Sequence, residues 1–87
     1  MACTYLLRCA DGTFYTGWTV DVQARLAAHN AGKASRYTRA RLPVALAYIE
    51  EWPTESEARR REPVLRRLSH ARKQALCRQH AAECRAG

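Results

Sequence analysis

The sequence predicts a small α+β domain in which a three-stranded β-sheet is flanked by helices, in the order β-β-α-β-α-α. Two short segments of alternating apolar and polar residues come before the first helical segment, and a third lies between helical segments. A chain of 87 residues is long enough for one such domain. We expect the domain to span residues 1–81, followed by a frayed tail over residues 82–87, where the apolar pattern is lost.

The first two strands are predicted over residues 3–9 and 14–18, with the turn signal Asp11-Gly12 between them. A two-residue Asp11-Gly12 loop would place Tyr5 and Tyr15 on opposite faces of the hairpin. A three-residue loop closed by a glycine bulge would instead make the two tyrosines diagonal neighbours on one face. Both registers fit the local sequence, and only the second allows the tyrosines to form a joint site.

The first helix is predicted over residues 20–31, with Thr19 as its N-cap. Asp21, Arg25 and His29 follow one another at intervals of four residues, so they would share one face of this helix. That face would present an acid, a permanent cation and a titratable imidazole close to the end of the second strand.

A basic loop and the third strand follow the first helix. Residues 33–42 are polar and rich in arginine, which predicts a loop. Pro43 then opens a strand over residues 44–52, in which side chains alternate between two faces, and Pro53 ends it.

Two further helices complete the predicted fold. Thr54 and Glu57 have the spacing of a capping box, which places the start of a helix there. Pro63 should kink or end that helix just after Glu62, because proline lacks an amide hydrogen and clashes with the preceding turn. Ser69 is the expected cap of the last helix.

The charge balance makes nucleic acid the leading partner class. Fifteen Lys and Arg residues against eight Asp and Glu give a net charge of +7, and only Lys33 and Lys73 are lysines. Arginine pairs with phosphate oxygens in bidentate geometry, which suits a nucleic-acid backbone. No apolar run is long enough to span a bilayer, and no helix pairs a basic face with a continuous apolar face, so a membrane partner is not expected. No signal peptide is visible, and we expect a cytoplasmic protein.

Five ordered positions carry a resemblance to a known family. Cys3-Thr4-Tyr5 and Tyr15-Thr16-Gly17 lie in the two strands, Arg25 and His29 in the following helix, and Glu62 in the helix after the third strand. The pattern resembles the GIY-YIG nuclease superfamily, in particular its small, stand-alone, single-domain, bacterial-type branch, with the two tripeptides in the GIY and YIG positions. The similarity extends over nearly the whole chain and includes the order of the elements.

That resemblance implies metal-dependent hydrolysis of phosphodiester bonds in DNA, double-stranded or branched. Glu62 would hold a divalent cation, Mg²⁺ or else Mn²⁺, and Arg25 would stabilise the charge that develops on the phosphate. Tyr5 and Tyr15 would position the attacking water, and His29 could relay or accept its proton. The sequence does not decide which tyrosine acts as the base.

Basic and aromatic residues on two segments are expected to bind the flanking phosphates and bases. They are Lys33, Arg36, Tyr37, Arg39, Arg41, Arg59 and Arg60. Two competing interpretations remain open at this point. One is a nucleic-acid-binding module of the same fold with weak or no catalysis, and the other is a protein-interaction domain whose arginines meet an acidic partner.

Overall fold

The structure, a computed structural model, describes the backbone of residues 1–86 and the side chains of residues 1–84. In chain order its elements are β1 (Ala2–Arg8), β2 (Phe14–Thr19), α1 (Val22–Asn30), α2 (Arg36–Arg39), β3 (Ala45–Trp52), α3 (Glu55–Arg66) and α4 (His70–Ala86). The strands form one antiparallel sheet in the order β2-β1-β3, so β2 and β3 are its edges. The predicted α+β fold is confirmed, with one additional short helix.

The hairpin between β1 and β2 turns through the three-residue loop, the second of the two registers that the sequence allowed. The amide of Gly12 donates to the carbonyl of Cys9 at 3.0 Å, and Gly12 has a φ of +84°, which glycine adopts without strain. Tyr5 therefore pairs with Gly17, and Tyr15 lies two residues before that partner. Both phenols consequently lie on one face of the sheet.

Apolar layers cover both faces of the sheet. The layer under α1 consists of buried residues in β1, directly after it and directly before β3: Tyr5, Leu7, Cys9 and Val44. The layer under α4 consists of Leu6, Phe14 and Cys77. Helix α3 lies on this second face, where the Thr4 hydroxyl donates to the carbonyl of Ala58 at 2.8 Å. The helices α1 and α3 therefore approach the sheet from opposite sides.

Helix α1 begins later than predicted because Asp21, and not Thr19, is its N-cap. The carboxylate of Asp21 accepts a hydrogen bond from the amide of Ala24 at 3.1 Å. The prediction that three functional groups share one face of α1 is therefore wrong for Asp21, because its carboxylate caps the start of the helix. The other two members differ in environment, because Arg25 is exposed and His29 is 1% exposed.

The segment between α1 and β3 is held at several points. The side-chain amide of Asn30 bonds both the N–H and the C=O of Val44, at 2.8 and 2.9 Å. The loop predicted over residues 33–42 contains α2, whose cap is Ser35, with its hydroxyl accepting from the amide of Tyr37 at 3.1 Å. The prediction was wrong here because a single helical turn is too short to produce an apolar period in the sequence.

Helix α3 starts at the predicted capping box and, contrary to prediction, continues through Pro63 for three more residues. The Thr54 hydroxyl accepts from the amide of Glu57 at 3.2 Å, and the Glu57 carboxylate accepts from the amide of Thr54 at 3.3 Å. Proline removes one intrahelical hydrogen bond, but Ala58 and Leu65, on either side of it, are fully buried. Packing against the sheet therefore outweighs the local break.

Helix α4 follows Ser69, whose hydroxyl accepts from the amide of Arg72 at 3.2 Å, as the predicted cap requires. The tail expected to fray from residue 82 is helical to Ala86 in the structure. The domain boundary at residue 81 stays a prediction. Within residues 1–86, no helix has the length and apolar character needed to cross a membrane.

Candidate active site

Tyr5 lies in the central strand, and its ring crosses the neighbouring strand at Gly17. The residue is 1% exposed. A Cβ atom at Gly17 would lie 2.6 Å from the Tyr5 hydroxyl oxygen and 2.8 Å from its Cζ. Glycine at this position therefore leaves the space that the phenol occupies, which gives the last residue of the Tyr-Thr-Gly tripeptide a steric role.

A buried chain of polar groups extends from this phenol. The Tyr5 hydroxyl lies 3.1 Å from Nε2 of His29, and Nδ1 of His29 lies 2.8 Å from Oγ1 of Thr38. The Thr38 hydroxyl in turn donates to the carbonyl of Ser35 at 3.3 Å. None of the three linked side chains is more than 1% exposed. The contacts thus connect β1, α1 and α2 through groups that solvent does not reach.

Burial keeps both titratable members of this chain uncharged near neutral pH. It raises the pKa of the Tyr5 phenol well above its ordinary value, an effect that Tyr15 reinforces and Arg25 opposes. Burial, with the positive charge of Arg25, lowers the pKa of His29. The pair is therefore a phenol next to a neutral imidazole, which is able to accept a proton.

Tyr15 lies beside the same imidazole at the edge of the sheet. Its ring centroid is 4.9 Å from that of His29, with the planes at 61°. Tyr15 is half-buried, and the ring of Tyr37 follows at 6.2 Å. The guanidinium of Arg41 stacks on Tyr37 at 3.8 Å. A row of aromatic groups thus leads from the buried imidazole to the surface.

Arg25 and Glu62 act on the Tyr5 hydroxyl from opposite sides of the sheet. The charge of Arg25, exposed on α1, lowers the pKa of the phenol, and the charge of Glu62, on α3, raises it. The Glu62 side chain is 14% exposed and forms an ion pair with Arg66, one helical turn further on. His29 and Tyr15 thus lie beside the Tyr5 hydroxyl group, and the charges of Arg25 and Glu62 influence its pKa.

The open edge of β2 is where groups from the two faces meet. A surface cleft of about 260 Å³ lies along this edge. Its lining residues are Phe14, Tyr15, Thr16, Tyr37, Arg66 and Lys73. The cleft thus connects the half-buried tyrosine of the site with the arginine that pairs with Glu62, and its polar rim is cationic.

The predicted phosphate-binding residues fall into two groups. Those with exposed side chains are Lys33, Arg36, Arg39, Arg59 and Arg60, on the α2 segment and on α3, and Tyr37 is also exposed. Arg41 is instead bonded at 3.0 Å both to the carboxylate of Asp11 and to the carbonyl of Tyr37. Arg41 therefore braces α2 against the hairpin turn, whereas the exposed group faces solvent.

Comparison with known proteins identifies the family of the chain. A family profile described as the GIY-YIG catalytic domain matches residues 1–75. The chain belongs to the GIY-YIG family. This finding confirms the resemblance that the sequence carried.

Relatives of this GIY-YIG chain are similar to it over most of their length. A UPF0213 protein of Halobacterium salinarum is 53% identical over 72 residues, which cover 83% of this chain and 94% of the relative. A UPF0213 protein of Streptococcus agalactiae is 47% identical over 79 residues, or 91% and 90% of the two chains. The solution NMR structure of the UPF0213 protein BH0048 from Bacillus halodurans has a TM-score of 0.53 at 40% identity, covering 87% of this chain and 82% of that one.

The donor set at Glu62 fits the cation that the GIY-YIG resemblance implies. In the described part of the chain, no three or more His, Cys, Asp or Glu side chains gather into a metal-binding group. Mg²⁺ is commonly bound by one or two carboxylates together with substrate phosphates and water, rather than by a complete protein cage. A single, partly exposed carboxylate beside a cationic cleft suits that mode of binding.

Sequence analysis did not identify two features of the candidate site. One is Thr38, which lies within a basic segment and shows no pattern of its own. Its spacing from Ser35, three residues apart as in a capped helical turn, was the only available signal. The other is the ion pair of Glu62 with Arg66, although its i, i+4 spacing is typical of helix-surface pairs.

Proposed function

We propose that this GIY-YIG protein is a metal-dependent DNA endonuclease that hydrolyses phosphodiester bonds at the edge of β2. The observation that carries the proposal is the contact of the Tyr5 hydroxyl with the neutral imidazole of His29, at a place where the charges of Arg25 and Glu62 influence the phenol. The matching catalytic-domain profile supports the same reaction class. The exposed arginines and the net charge of +7 support DNA, double-stranded or branched, as the substrate.

The two charged residues have separate tasks in this proposal. Arg25 binds the scissile phosphate through its exposed guanidinium and stabilises the negative charge that grows in the transition state. Glu62 holds the divalent cation, and bound Mg²⁺ would supply Lewis-acid polarisation of a phosphate oxygen. Because the two residues approach from opposite faces of the sheet, the phosphate would lie between them at the open edge of β2.

The two tyrosines also differ in what they are able to do. Tyr15 is half-buried at the edge and orients the attacking water, whereas Tyr5 has a hydrogen-bonded proton acceptor in His29. In the substrate complex, the attacking water would have to reach the Tyr5 oxygen, which is buried in the free protein. It would transfer a proton to that oxygen while the phenol's own proton moves to Nε2 of His29, as the water oxygen bonds to phosphorus and the bond from phosphorus to the leaving oxygen breaks. Since burial raises the pKa of Tyr5, a free phenolate is unfavourable, and this concerted transfer avoids it.

The test is a nicking assay on supercoiled plasmid, a branched oligonucleotide duplex and a single strand. Purified protein is expected to cleave in Mg²⁺ or Mn²⁺ and to stop in EDTA. Glu62→Gln should slow cleavage at least about 100-fold, whereas Glu55→Gln, an exposed carboxylate on the first turn of the same helix, should cleave like the parent. Cleavage that survives EDTA or Glu62→Gln would contradict the proposal.

A second candidate, a nucleic-acid-binding module without catalysis, is favoured by one observation. The carboxylate of Glu62 is paired with Arg66, which competes with a cation for the same oxygens. The module would bind DNA in a salt-dependent manner, cleave none in any metal, and keep its affinity in Glu62→Gln. Cleavage by the parent protein in Mg²⁺ excludes it.

A further inference from the structure

Helix α2 carries one side chain that differs from its neighbours. Arg36, Tyr37 and Arg39 are exposed, whereas Thr38 is 0% exposed and faces α1. Its hydroxyl oxygen contacts both Nδ1 of His29, at 2.8 Å, and the carbonyl of Ser35, at 3.3 Å. Buried polar groups are almost always hydrogen bonded, so the direction of each of these bonds can be worked out by counting protons.

In one arrangement, all the contacts are hydrogen bonds. The single proton of the Thr38 hydroxyl goes to the Ser35 carbonyl, so the Thr38 oxygen accepts from Nδ1–H of His29. The unprotonated Nε2 of His29 then accepts the proton of the Tyr5 hydroxyl. Tyr5, His29 and Thr38 each donate one proton to the next acceptor, and none is left without a partner.

The opposite tautomer of His29 leaves one buried donor without a partner. With the proton on Nε2, His29 would donate to the Tyr5 oxygen, and Thr38 would donate to Nδ1 instead of to Ser35. The proton of the Tyr5 hydroxyl, in a residue 1% exposed, would then have no acceptor among the described residues. A buried donor without a partner is unfavourable, so the first arrangement is preferred.

We infer that Thr38 is a positioning residue, which holds His29 in the Nδ1–H tautomer and so leaves Nε2 open to a proton from Tyr5. Thr38 acts through His29 and contacts no part of the substrate. The consequence for cleavage rests on the proposed function, whereas the tautomer itself does not. The two are therefore measured separately.

Helix α2 is well fixed for this role. The Ser35 hydroxyl caps its start, and Arg41 beyond its end is bonded to Asp11 of the hairpin turn. The amide of Ala10 also donates to the carbonyl of Arg41 at 3.0 Å. The helical turn that carries Thr38 is thus fixed at both ends. A small change in the Thr38 side chain should therefore alter the partner of Nδ1 while the backbone stays in place.

The first measurement is long-range ¹H–¹⁵N NMR of the histidine rings, which distinguishes a protonated from an unprotonated ring nitrogen. The signals of His29 are assigned from their loss in His29→Gln. The parent protein should show Nδ1 protonated and Nε2 unprotonated. Thr38→Val, which keeps the side-chain shape but has no acceptor, should lose this tautomer, and Thr38→Ser should retain it.

The second measurement is single-turnover cleavage with saturating DNA. Thr38→Val should cleave at least about tenfold more slowly while its Kd for DNA changes less than about twofold, and Thr38→Ser should recover most of the rate. A parent protein with Nε2 protonated, or a folded Thr38→Val protein with an unchanged tautomer, would overturn the inference. If Thr38→Val does not fold, the spectra of the parent and of Thr38→Ser decide.

The outcomes separate the inference from the proposed function. A protein that cleaves no DNA, yet shows the Nδ1–H tautomer and loses it in Thr38→Val, would refute the nuclease proposal and support the positioning role of Thr38. A protein that cleaves DNA equally well with valine and threonine at this position would refute the positioning role and leave the nuclease proposal standing.

Discussion

The candidate site has a buried, uncharged inner half and a charged outer half. The inner half, formed by Tyr5, His29 and Thr38, is at most 1% exposed, uncharged and joined by hydrogen bonds. The outer half consists of charged groups, Arg25 on the exposed side of α1 and Glu62 in an ion pair on α3. The hydrogen bonds of the inner half are complete without substrate, whereas under the proposed function the outer half would gain a phosphate and a cation when substrate binds.

Desolvation explains this division. An unpaired ion in the interior is strongly unfavourable, so a proton relay beneath the sheet surface has to be built from neutral groups. Ions at the surface remain hydrated and contribute little to folding, so they stay available to a ligand. Substitutions in the inner half should therefore affect stability and cleavage together, and substitutions in the outer half should affect cleavage alone.

The substitution Arg25→Gln should show the largest difference between the inner and outer halves in its effects on cleavage and on stability. We expect cleavage to fall by about 100-fold or more, because the charge on the transition state loses its fixed cation. The free energy of unfolding should change by less than about 0.5 kcal/mol, since the side chain is exposed. Single-turnover cleavage and urea denaturation measure the two quantities.

The matched control for this prediction is Arg67→Gln, which removes an exposed arginine next to the end of α3. It should leave both quantities close to those of the parent. If Arg25→Gln lowered the stability as much as a substitution in the inner half, the division between the halves would be refuted.

Gly17→Ala tests the inner half. The added Cβ would lie 2.6 Å from the Tyr5 hydroxyl oxygen, so the phenol has to move. We expect a loss of about 1–3 kcal/mol in the free energy of unfolding, with a parallel loss of cleavage. A smaller side chain in Tyr5→Leu should relieve the clash, so the double variant should be more stable than the sum of the two single losses predicts. Strict additivity would contradict the steric role of Gly17.

The local signals of the chain were enough to predict most of the fold, and packing accounts for the exceptions. The capping box at Thr54 and Glu57 is a contact between close neighbours, so the sequence displays it directly. Pro63 was misjudged because the burial of Ala58 and Leu65, which holds α3 together, depends on a sheet distant in the chain. Local preference is overridden wherever tertiary burial is larger.

The site was predictable only in part, for a similar reason. The family pattern named Tyr5, Tyr15, Arg25, His29 and Glu62, and in the structure Tyr5 and Tyr15 both lie beside His29. The common face of Tyr5 and Tyr15 could not be derived from the sequence, because the turn allowed two registers. The role of Thr38 depends on its buried contact with His29, which joins α2 to α1. A contact of this kind produces no periodic pattern in the sequence.

The stability of the protein should depend on pH through His29, a residue of the inner half. Because the pKa of His29 is lowered in the folded state, the unfolded chain takes up the proton first as the pH falls. The contribution of His29 to the free energy of unfolding should be constant above the ordinary histidine pKa of about 6.5. It should decline as the pH falls below that value toward the lowered pKa. Urea denaturation between about pH 5 and 7.5 measures it. His29→Gln should be less stable at neutral pH but show a shallower decline, and an equal slope in both proteins would exclude the proposed burial effect.

The smallest expected effect concerns Arg66→Gln in the outer half. Without its partner, the carboxylate of Glu62 should bind a cation more readily, and the Mg²⁺ concentration for half-maximal cleavage should fall about twofold. The free energy of unfolding should change by no more than about 1 kcal/mol, because the Arg66 side chain is 64% exposed although that of Glu62 is only 14% exposed. A higher Mg²⁺ requirement would mean that Arg66 supports the metal site instead of competing for it.

The most direct test of the joint site is a crystal structure of the slow variant Tyr5→Phe with a DNA duplex and Mn²⁺, in which anomalous scattering locates the metal. We predict a Mn²⁺ peak between the carboxylate of Glu62 and a phosphate oxygen, with Arg25 bound to the same phosphate at the edge of β2. Manganese bound away from Glu62, or a phosphate out of reach of Arg25, would contradict the claim that the two faces of the sheet meet around one phosphate.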